Sequence, residues 1–310
     1  MMGKTALLAV GGGGLSGAAV LAALAGSPLG MIAVYLAPLP LLAAGLALGT
    51  SGFGIAASAG LTVALLFGGF AAAGLYGGLH VIPSWLLVQQ AMRTQPGTGD
   101  NWRPIGDVLA VVTLLIVFVV AATCWSARGA GGIEAGVEGL LTAVVAMVSD
   151  FDEPTRQALV DQLAPLFPGF AAVVWLSILI ANAALAQGLL SARGLNRRPK
   201  PQWSKLRLPG WFDWPLVGAA VLALTTEGDV AYIARNLVVI LLAAYFLVGL
   251  AVVHDIGGRS RSKGLMLTAF YALLMLFFLF AAALVAALGV AEQWIGVRRR
   301  FAARPPAAKD

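Results

Sequence analysis

The sequence predicts an all-α, polytopic transmembrane helical bundle of about eight spans, with nine as the alternative, and a short amphipathic helix on the outer surface. Hydrophobic residues make up 60% of the 310 residues and charged residues only 11%, with a mean hydropathy of +0.89. A soluble domain usually carries about 25% charged residues. No Asp, Glu, Lys or Arg lies between Lys4 and Arg93, so this block alone has room for several helices of roughly 20 residues.

Seven apolar segments are predicted as strong spans. They are residues 5–25, 28–49, 53–76, 105–125, 168–190, 235–253 and 264–289. Two shorter segments, 79–92 and 211–226, leave the span count open, because one contains a proline and the other begins with interfacial aromatic residues. Residues 133–148 are interrupted by Glu134 and Glu138, which favours a helix lying on the membrane surface.

The amphipathic outer helix is predicted within the long connection before residue 168. Asp152 is the expected N-cap, and Pro154 is tolerated in the first turn of a helix. Leu159, Leu163 and Leu166 then recur at helical spacing and predict one apolar face.

The distribution of basic residues predicts topology rather than nucleic-acid binding. The net charge is +6, and the cations cluster in short loops beside apolar segments, as the positive-inside rule describes. Residues 191–213 and 254–263 are therefore predicted to be cytoplasmic, and 226–234 external. The basic tail, with Arg298, Arg299, Arg300 and Arg304, does not follow this alternation if residues 264–289 cross once. Residues 1–300 are predicted to form a single integral membrane domain, and 301–310 a disordered tail.

No catalytic or metal-binding constellation is evident in the sequence. The two histidines, His80 and His254, and the single Cys124 lie far apart, and no paired carboxylates occur inside a span. We therefore expect no enzyme activity, no metal, no cofactor and no nucleic-acid partner.

Helix-breaking residues inside apolar segments give the candidate site. Pro38 and Pro40 lack the amides that would bond the carbonyls of Val34 and Leu36, so a bend is expected at 36–40, facing protein rather than lipid. A second break is expected near Gly77, Gly78 and Pro83. The candidate ligand-cavity or helix-break residues are Tyr35, Pro38, Pro40, Gly45, His80, Pro83 and Asn182. For Asn182, an interhelical hydrogen bond and a substrate contact are both open interpretations.

Small residues recur four positions apart and predict close helix contacts. The pairs are Gly13 with Gly17, Gly45 with Gly49, Ala56 with Gly60, and Gly74 with Gly78. Such spacing lets helix backbones approach one another in lipid. Packing within the chain is the favoured interpretation, and a partner-binding face is the alternative.

Several segments resemble the YybS-like family of uncharacterised bacterial membrane proteins. They are SPLGMIAVYLAPLPLLAAGLALG (27–49), IPSWLLVQQAMR (82–93), WRPIGDVL (102–109), ANAALAQGLLSARG (181–194) and NLVVILLAAYFLVGLAVVH (236–254). The resemblance implies a multi-pass protein of the bacterial inner membrane without enzyme activity. The family is similar in architecture to the S components of energy-coupling-factor transporters and to MreD-type proteins, although this chain has more spans than the six usual for an S component.

Two functions follow as hypotheses. The first is a transporter-like subunit that captures a small neutral or amphipathic molecule, because unwound helices expose backbone groups to substrate in transporters. It would act with a separate ATPase or membrane partner subunits. The second is a non-transporting scaffold or assembly factor, whose basic loop 191–213 and basic tail would dock partners or membrane lipid.

Overall fold

The computed structural model describes residues 2–94, 102–127, 131–148, 151–259 and 262–302. The α-helices are Met2–Leu24, Pro28–Ala33, Pro38–Leu48, Thr50–Tyr76, Ile82–Ala91, Ile105–Ser126, Gly132–Val148, Glu153–Leu163, Phe167–Ala192, Asp213–Thr225, Gly228–Gly258, Lys263–Leu276, Phe278–Ile295 and Val297–Ala302. Short 3-10 helices lie at Val34–Leu36, Ala164–Leu166, Trp203–Lys205 and Gly210–Phe212, and a π-helical turn at Gly77–Val81. The described chain has no extended strand, only an isolated bridge between Thr94 and Trp102.

Seven of the described helical segments are long and apolar enough to cross a membrane, by length and composition. They are Thr5–Leu24, Pro28–Leu48, Thr50–Ala91, Ile105–Ser126, Glu153–Ala192, Gly228–Gly258 and Phe278–Ile295. Two apolar helices, Gly210–Thr225 and Lys263–Leu276, are shorter. The prediction of an all-α, polytopic helical bundle is confirmed.

The segment Thr50–Ala91 is too long for one crossing, and a glycine divides it. Its 42 residues would extend about 63 Å as a straight helix, whereas the hydrocarbon layer is about 30 Å thick. Gly69 has φ 71° and ψ −172°, close to the φ 85° and ψ −170° of Gly49, a conformation that essentially only glycine adopts. A Cβ on Gly60 would lie 2.2 Å from the hydroxyl of Tyr76, so the chain folds back between these residues. The weak segment 79–92 is therefore the end of a longer apolar segment, 70–91.

The predicted single span 264–289 is wrong, because the structure divides it at Phe277. This residue has φ −118° and ψ 43° and lies between the helices Lys263–Leu276 and Phe278–Ile295. Its amide still donates to the carbonyl of Leu273, and its carbonyl accepts from the amide of Ala281. The break leaves both backbone groups of Phe277 paired, which is why it needs neither proline nor glycine.

The chain divides into two compact units. Unit 1 contains the residues up to Val112 together with Val174–Pro201, and unit 2 contains Thr113–Val173 together with the residues from Gln202 onward. The predicted single domain over residues 1–300 stays a prediction. The tail predicted at 301–310 lies largely outside the described residues.

Unit 1 has a glycine-mediated helix pair at its centre. A Cβ on Gly13 would lie 1.9 Å from the carbonyl oxygen of Ala56, and a Cβ on Gly17 2.5 Å from that of Gly60. The helices Met2–Leu24 and Thr50–Tyr76 therefore touch along their backbones. The predicted packing role fits these two pairs and Gly45, but not Gly74 and Gly78, which face open space.

Unit 2 contains a similar close pair. A Cβ on Gly249 would lie 1.9 Å from the carbonyl oxygen of Val285, and a Cβ on Gly289 1.9 Å from that of Tyr245. The residue numbers run in opposite directions, so Gly228–Gly258 and Phe278–Ile295 are antiparallel. The sequence pattern did not single out these glycines, because they lie on two different helices rather than four residues apart on one.

The amphipathic helix forms as Glu153–Leu163, and its buried face agrees with the prediction in part, because Leu159 packs against the buried cluster but Leu163 does not. Val160 and Ala164 are buried against Leu141 and Val145, whereas Leu163 is 40% exposed. Asp152 occupies the N-cap position without a side-chain capping bond. The buried face is decided by the residues of Gly132–Val148 against which the helix packs, and the leucine spacing alone does not specify these.

Candidate functional site

The first proline break lies at the start of a helix rather than inside one. Pro38 and Pro40 fall in the first turn of Pro38–Leu48, where backbone amides have no partner within a helix. The preceding 3-10 turn lets the amide of Ala37 donate to the carbonyl of Val34 at 3.1 Å. The expectation that this carbonyl would be free is therefore wrong.

The carbonyls that accept hydrogen bonds from side chains are those of Tyr35 and Ala37. The Asn182 side-chain amide donates to the Tyr35 carbonyl at 2.8 Å. Ser16 donates to the Ala37 carbonyl at 2.6 Å, and the hydroxyl of Tyr76 donates to Ser16 at 2.9 Å. Ala37 and Pro38 are buried, whereas the Tyr35 side chain is exposed, so the bend faces protein on one side only.

The second break is the π-helical turn Gly77–Val81, which precedes Pro83. Pro83 lacks the amide that would bond the carbonyl of Leu79. The indole nitrogen of Trp175 donates to this carbonyl at 2.9 Å instead. The proline explains why the helix is irregular here, and the tryptophan explains how the freed acceptor is satisfied.

One helix therefore contacts both proline breaks. Trp175 and Asn182 are seven residues apart on Phe167–Ala192, so they lie on one face, about two turns from each other. Sequence reasoning identified Asn182 but missed Trp175 and Ser16. The missed signal was the seven-residue spacing between two polar-tipped side chains within one apolar span.

Residues spaced by four, three of them polar, follow one another along the segment 70–91. Tyr76, His80, Ser84 and Val88 are spaced by four residues, and Val88 packs against Gly45 of the neighbouring helix. The rings of Tyr76 and His80 have centroids 5.9 Å apart. We call Ser16, Tyr76, His80, Ser84 and Asn182 the polar seam of unit 1.

Three atoms of the polar seam are buried without a hydrogen-bond partner among the described residues. They are Nδ1 of His80, Oγ of Ser84 and Oδ1 of Asn182. Ser84 is completely buried and Asn182 is 4% exposed. A buried polar atom without a partner costs about 1–3 kcal/mol, so such atoms mark positions where a ligand can contribute bonds.

The predicted site residues thus lie around the two breaks, and they contribute backbone as well as side-chain atoms there. Tyr35 contributes its carbonyl, and Pro38, Pro40 and Pro83 shape the turns. None of the seven predicted residues lines either of the two cavities described next.

The first of these cavities is an open groove of unit 1, about 780 Å³ in volume. It lies between Met2–Leu24 and Thr50–Tyr76 and is lined by small and β-branched residues, including Gly14, Ser58 and Thr62. Thr62 donates to the carbonyl of Ser58, so its hydroxyl is already used.

The second cavity lies in unit 2 and has a volume of about 590 Å³. Its lining is Trp203, Ser204, Leu206, Leu247, Leu250, Ala251, His254, Asp255, Gly258, Arg259 and Lys263. The apolar residues come mainly from the second half of Gly228–Gly258, and the charged residues from its end and the start of the next helix.

A buried ion pair fixes one wall of this cavity. Glu292 and Arg298 are 3% and 7% exposed, and Arg298 donates to both carboxylate oxygens of Glu292. Its other nitrogens donate to the carbonyls of Ser204 and Leu206, at 2.6 and 2.8 Å. Arg298, which the sequence assigned to a basic tail, is therefore a structural residue.

Unit 1 contains a buried arginine of a different kind. Arg198 donates to the carbonyls of Ala91 and Arg103, at 3.0 and 2.6 Å, but no described carboxylate pairs with it. Burial lowers the pKa of the Arg198 guanidinium. It joins the end of Ile82–Ala91 to the residues before Ile105–Ser126, and its charge is therefore used inside the fold rather than displayed by the loop 191–213.

The fold and these helix breaks define a class, a multi-pass α-helical membrane protein with irregular, polar helix segments. Among the described residues no group of three or more His, Cys, Asp or Glu side chains could hold a metal ion. The model of the family DUF2232, described as "Predicted membrane protein", matches residues 17–292, and the chain belongs to this family. The YybS-like resemblance agrees with this result. No curated protein and no solved structure matches the chain.

Proposed function

We propose that the protein is a transporter-like subunit of the bacterial inner membrane that captures a small neutral or amphipathic molecule at the polar seam. The observation that carries this proposal is the set of three buried atoms without partners, on His80, Ser84 and Asn182, beside two proline breaks. Irregular helices at membrane depth occur where they are buried in protein or line a cavity, and in transporters they form the substrate site.

The chemistry of the seam favours a ligand without net charge. Residues 5–92 contain no Asp, Glu, Lys or Arg, and the available groups are a hydroxyl, an imidazole nitrogen and an amide oxygen. These groups donate and accept neutral hydrogen bonds. Binding rather than catalysis is proposed, because the seam has no nucleophile paired with a base.

Transport would require other components. We propose a separate ATPase or membrane partner subunits as the source of energy, since the seam provides binding groups alone. Neither a cofactor nor a nucleic acid is part of the proposal.

A thermal-unfolding screen of the purified full-length protein tests the proposal. The panel would contain riboflavin and other uncharged or amphipathic molecules, with divalent metal ions for comparison. A ligand present at 100 times its Kd stabilises the folded state by about 2.7 kcal/mol, which raises Tm measurably. If no panel member raises Tm while the protein remains folded, the proposal loses its support.

Paired serine variants locate the effect. Ser84→Ala removes a buried hydroxyl of the seam, whereas Ser58→Ala removes an exposed hydroxyl of the same unit. We expect Ser84→Ala to reduce the ligand-induced rise in Tm and Ser58→Ala to preserve it. Equal responses from the two variants would place the ligand elsewhere.

A scaffold or assembly factor is the alternative proposal. Arg193, Arg197 and Lys200 are exposed in the loop 191–213, which supports partner docking or contact with membrane lipid. Arg198 and Arg298 do not support it, because both are buried. Reversing the charges of the three exposed residues and measuring bound partners by crosslinking separates this alternative from ligand capture.

A further inference from the structure

We propose that the 590 Å³ cavity of unit 2 is a binding site for one anionic phospholipid. This site lies apart from the polar seam and does not depend on the proposed capture function. A volume between about 300 and 1,000 Å³ is typical of small-molecule sites and accommodates a headgroup with the first part of an acyl chain.

The cavity has an apolar and a polar half, as a phospholipid has. Leu206, Leu247, Leu250 and Ala251 form the apolar half. The last three of them, in Gly228–Gly258, belong to the 18 residues between Arg235 and His254, which carry no charged side chain. An acyl chain fits this half, because its burial there removes apolar surface from water.

The polar half carries a net positive charge. Arg259 lies 2.7 Å from the carboxylate of Asp255 and is partly neutralised by it. Lys263 has no carboxylate within ion-pair distance among the described residues, so its charge remains available to a phosphate. Basic clefts between helices at the cytoplasmic side of a membrane bind anionic headgroups, and 254–263 is predicted to be cytoplasmic.

Two further features prepare the cavity. Trp203 lines it, and tryptophan favours the region where headgroups meet hydrocarbon. Arg298 holds the carbonyls of Ser204 and Leu206, so the wall formed by these residues is fixed before a lipid arrives. A preformed wall reduces the entropy cost of binding.

Native mass spectrometry of the full-length protein in detergent tests the site. Phosphatidylglycerol and phosphatidylcholine with the same acyl chains would be added at equal concentrations, and bound lipid would be counted. Each nearby cation contributes roughly a fivefold gain in affinity for an anionic surface. We expect one phosphatidylglycerol to bind about fivefold more tightly than phosphatidylcholine.

Two variants and one control locate that lipid. Lys263→Gln is expected to weaken phosphatidylglycerol binding about fivefold and to leave phosphatidylcholine binding unchanged. Lys200→Gln removes an exposed charge outside the cavity and should have no effect. Leu250→Trp fills the apolar half and should weaken binding of both lipids, with Tm recording that the variant is folded.

The proposal would be overturned by equal binding of the two lipids to the wild type. It would also be overturned if Lys263→Gln behaved like Lys200→Gln, or if a folded Leu250→Trp variant retained the full amount of bound lipid. Failure of this test leaves the thermal screen of the polar seam unaffected, because the two experiments concern different residues of different units.

Discussion

In unit 2, both the oxygen and the nitrogen of the buried Asn236 side chain have hydrogen-bond partners. In unit 1, the nitrogen of the buried Asn182 side chain has partners, but its oxygen has none among the described residues. Asn236 accepts from the amide of Gly169 at 2.7 Å and donates to the carbonyls of Pro165 and Tyr232. Asn182 donates to Tyr35 and Ile178, but its Oδ1 has no partner among the described residues. Each asparagine lies in a long apolar helix, so the sequence alone does not distinguish them.

The buried arginines and other polar side chains repeat this contrast. Arg298 of unit 2 is neutralised by Glu292, whereas Arg198 of unit 1 contacts carbonyls alone. Of the seven buried side-chain atoms without a partner in the described chain, five belong to unit 1. A buried polar group with all its hydrogen bonds made is explained by folding, and one that lacks a partner is open to a bond from a ligand or a water molecule.

The largest effect is expected when the ion pair of unit 2 is broken. Glu292→Gln would leave the charge of the buried Arg298 uncompensated and lower the free energy of unfolding by about 3–5 kcal/mol. Thermal unfolding in detergent measures the change.

The control for this change is Glu153→Gln, which removes an exposed carboxylate paired with Arg156. Exposed pairs contribute about 1 kcal/mol or less, so this variant should unfold almost as the wild type does. Similar losses for Glu292→Gln and Glu153→Gln would mean that unit 2 is not stabilised by its buried charges.

A smaller loss of stability, similar in the two units, is expected when the tight glycine contacts within each unit are disturbed. Gly13→Ala in unit 1 and Gly289→Ala in unit 2 would each force a Cβ against a carbonyl oxygen of a neighbouring helix. Overpacking of this kind costs about 1–3 kcal/mol, measurable as a drop in Tm.

Gly11→Ala is the matched control, because a Cβ at Gly11 meets no atom within 4 Å. It should be neutral or slightly stabilising, since alanine favours a helix. If only one of the two tight glycines proved sensitive, the units would differ in packing as well as in polar saturation.

The smallest effect is the difference in lost stability between leucine variants of the two asparagines. Asn236→Leu removes two bonds to another helical segment and should cost roughly 1–2 kcal/mol, whereas Asn182→Leu removes one and should cost about 0.6 kcal/mol. Tm in the absence of ligand records both changes. A larger loss for Asn182→Leu would show that this side chain is mainly structural.

The strongest parts of the sequence prediction were those that depend on composition. Apolar length placed most of the spans, although not the one predicted at 264–289, and the proline rule identified Pro38, Pro40 and Pro83 as breaks. The same rule could not name the partner of the freed Leu79 carbonyl, because Trp175 is 96 residues away in the chain. Partners at that distance depend on how the helices pack, which hydrophobicity does not record.

Two other features of the structure could not be predicted from the sequence, for physical reasons. The break at Phe277 lies among apolar residues and keeps its backbone bonds, so no turn residue announces it. Arg298 reads as a solvated charge in a basic tail, and its burial depends on Glu292 six residues earlier and on two carbonyls near residue 205.

The most direct test of ligand capture by unit 1 is the rise in Tm that a stabilising panel molecule produces in the two asparagine variants. We predict that Asn182→Leu abolishes this rise, because the Oδ1 of Asn182 belongs to the proposed site. We also predict that Asn236→Leu, with a lower starting Tm, retains the full rise. A full rise in Asn182→Leu, or an equal loss in both variants, would contradict the assignment of the ligand to the polar seam.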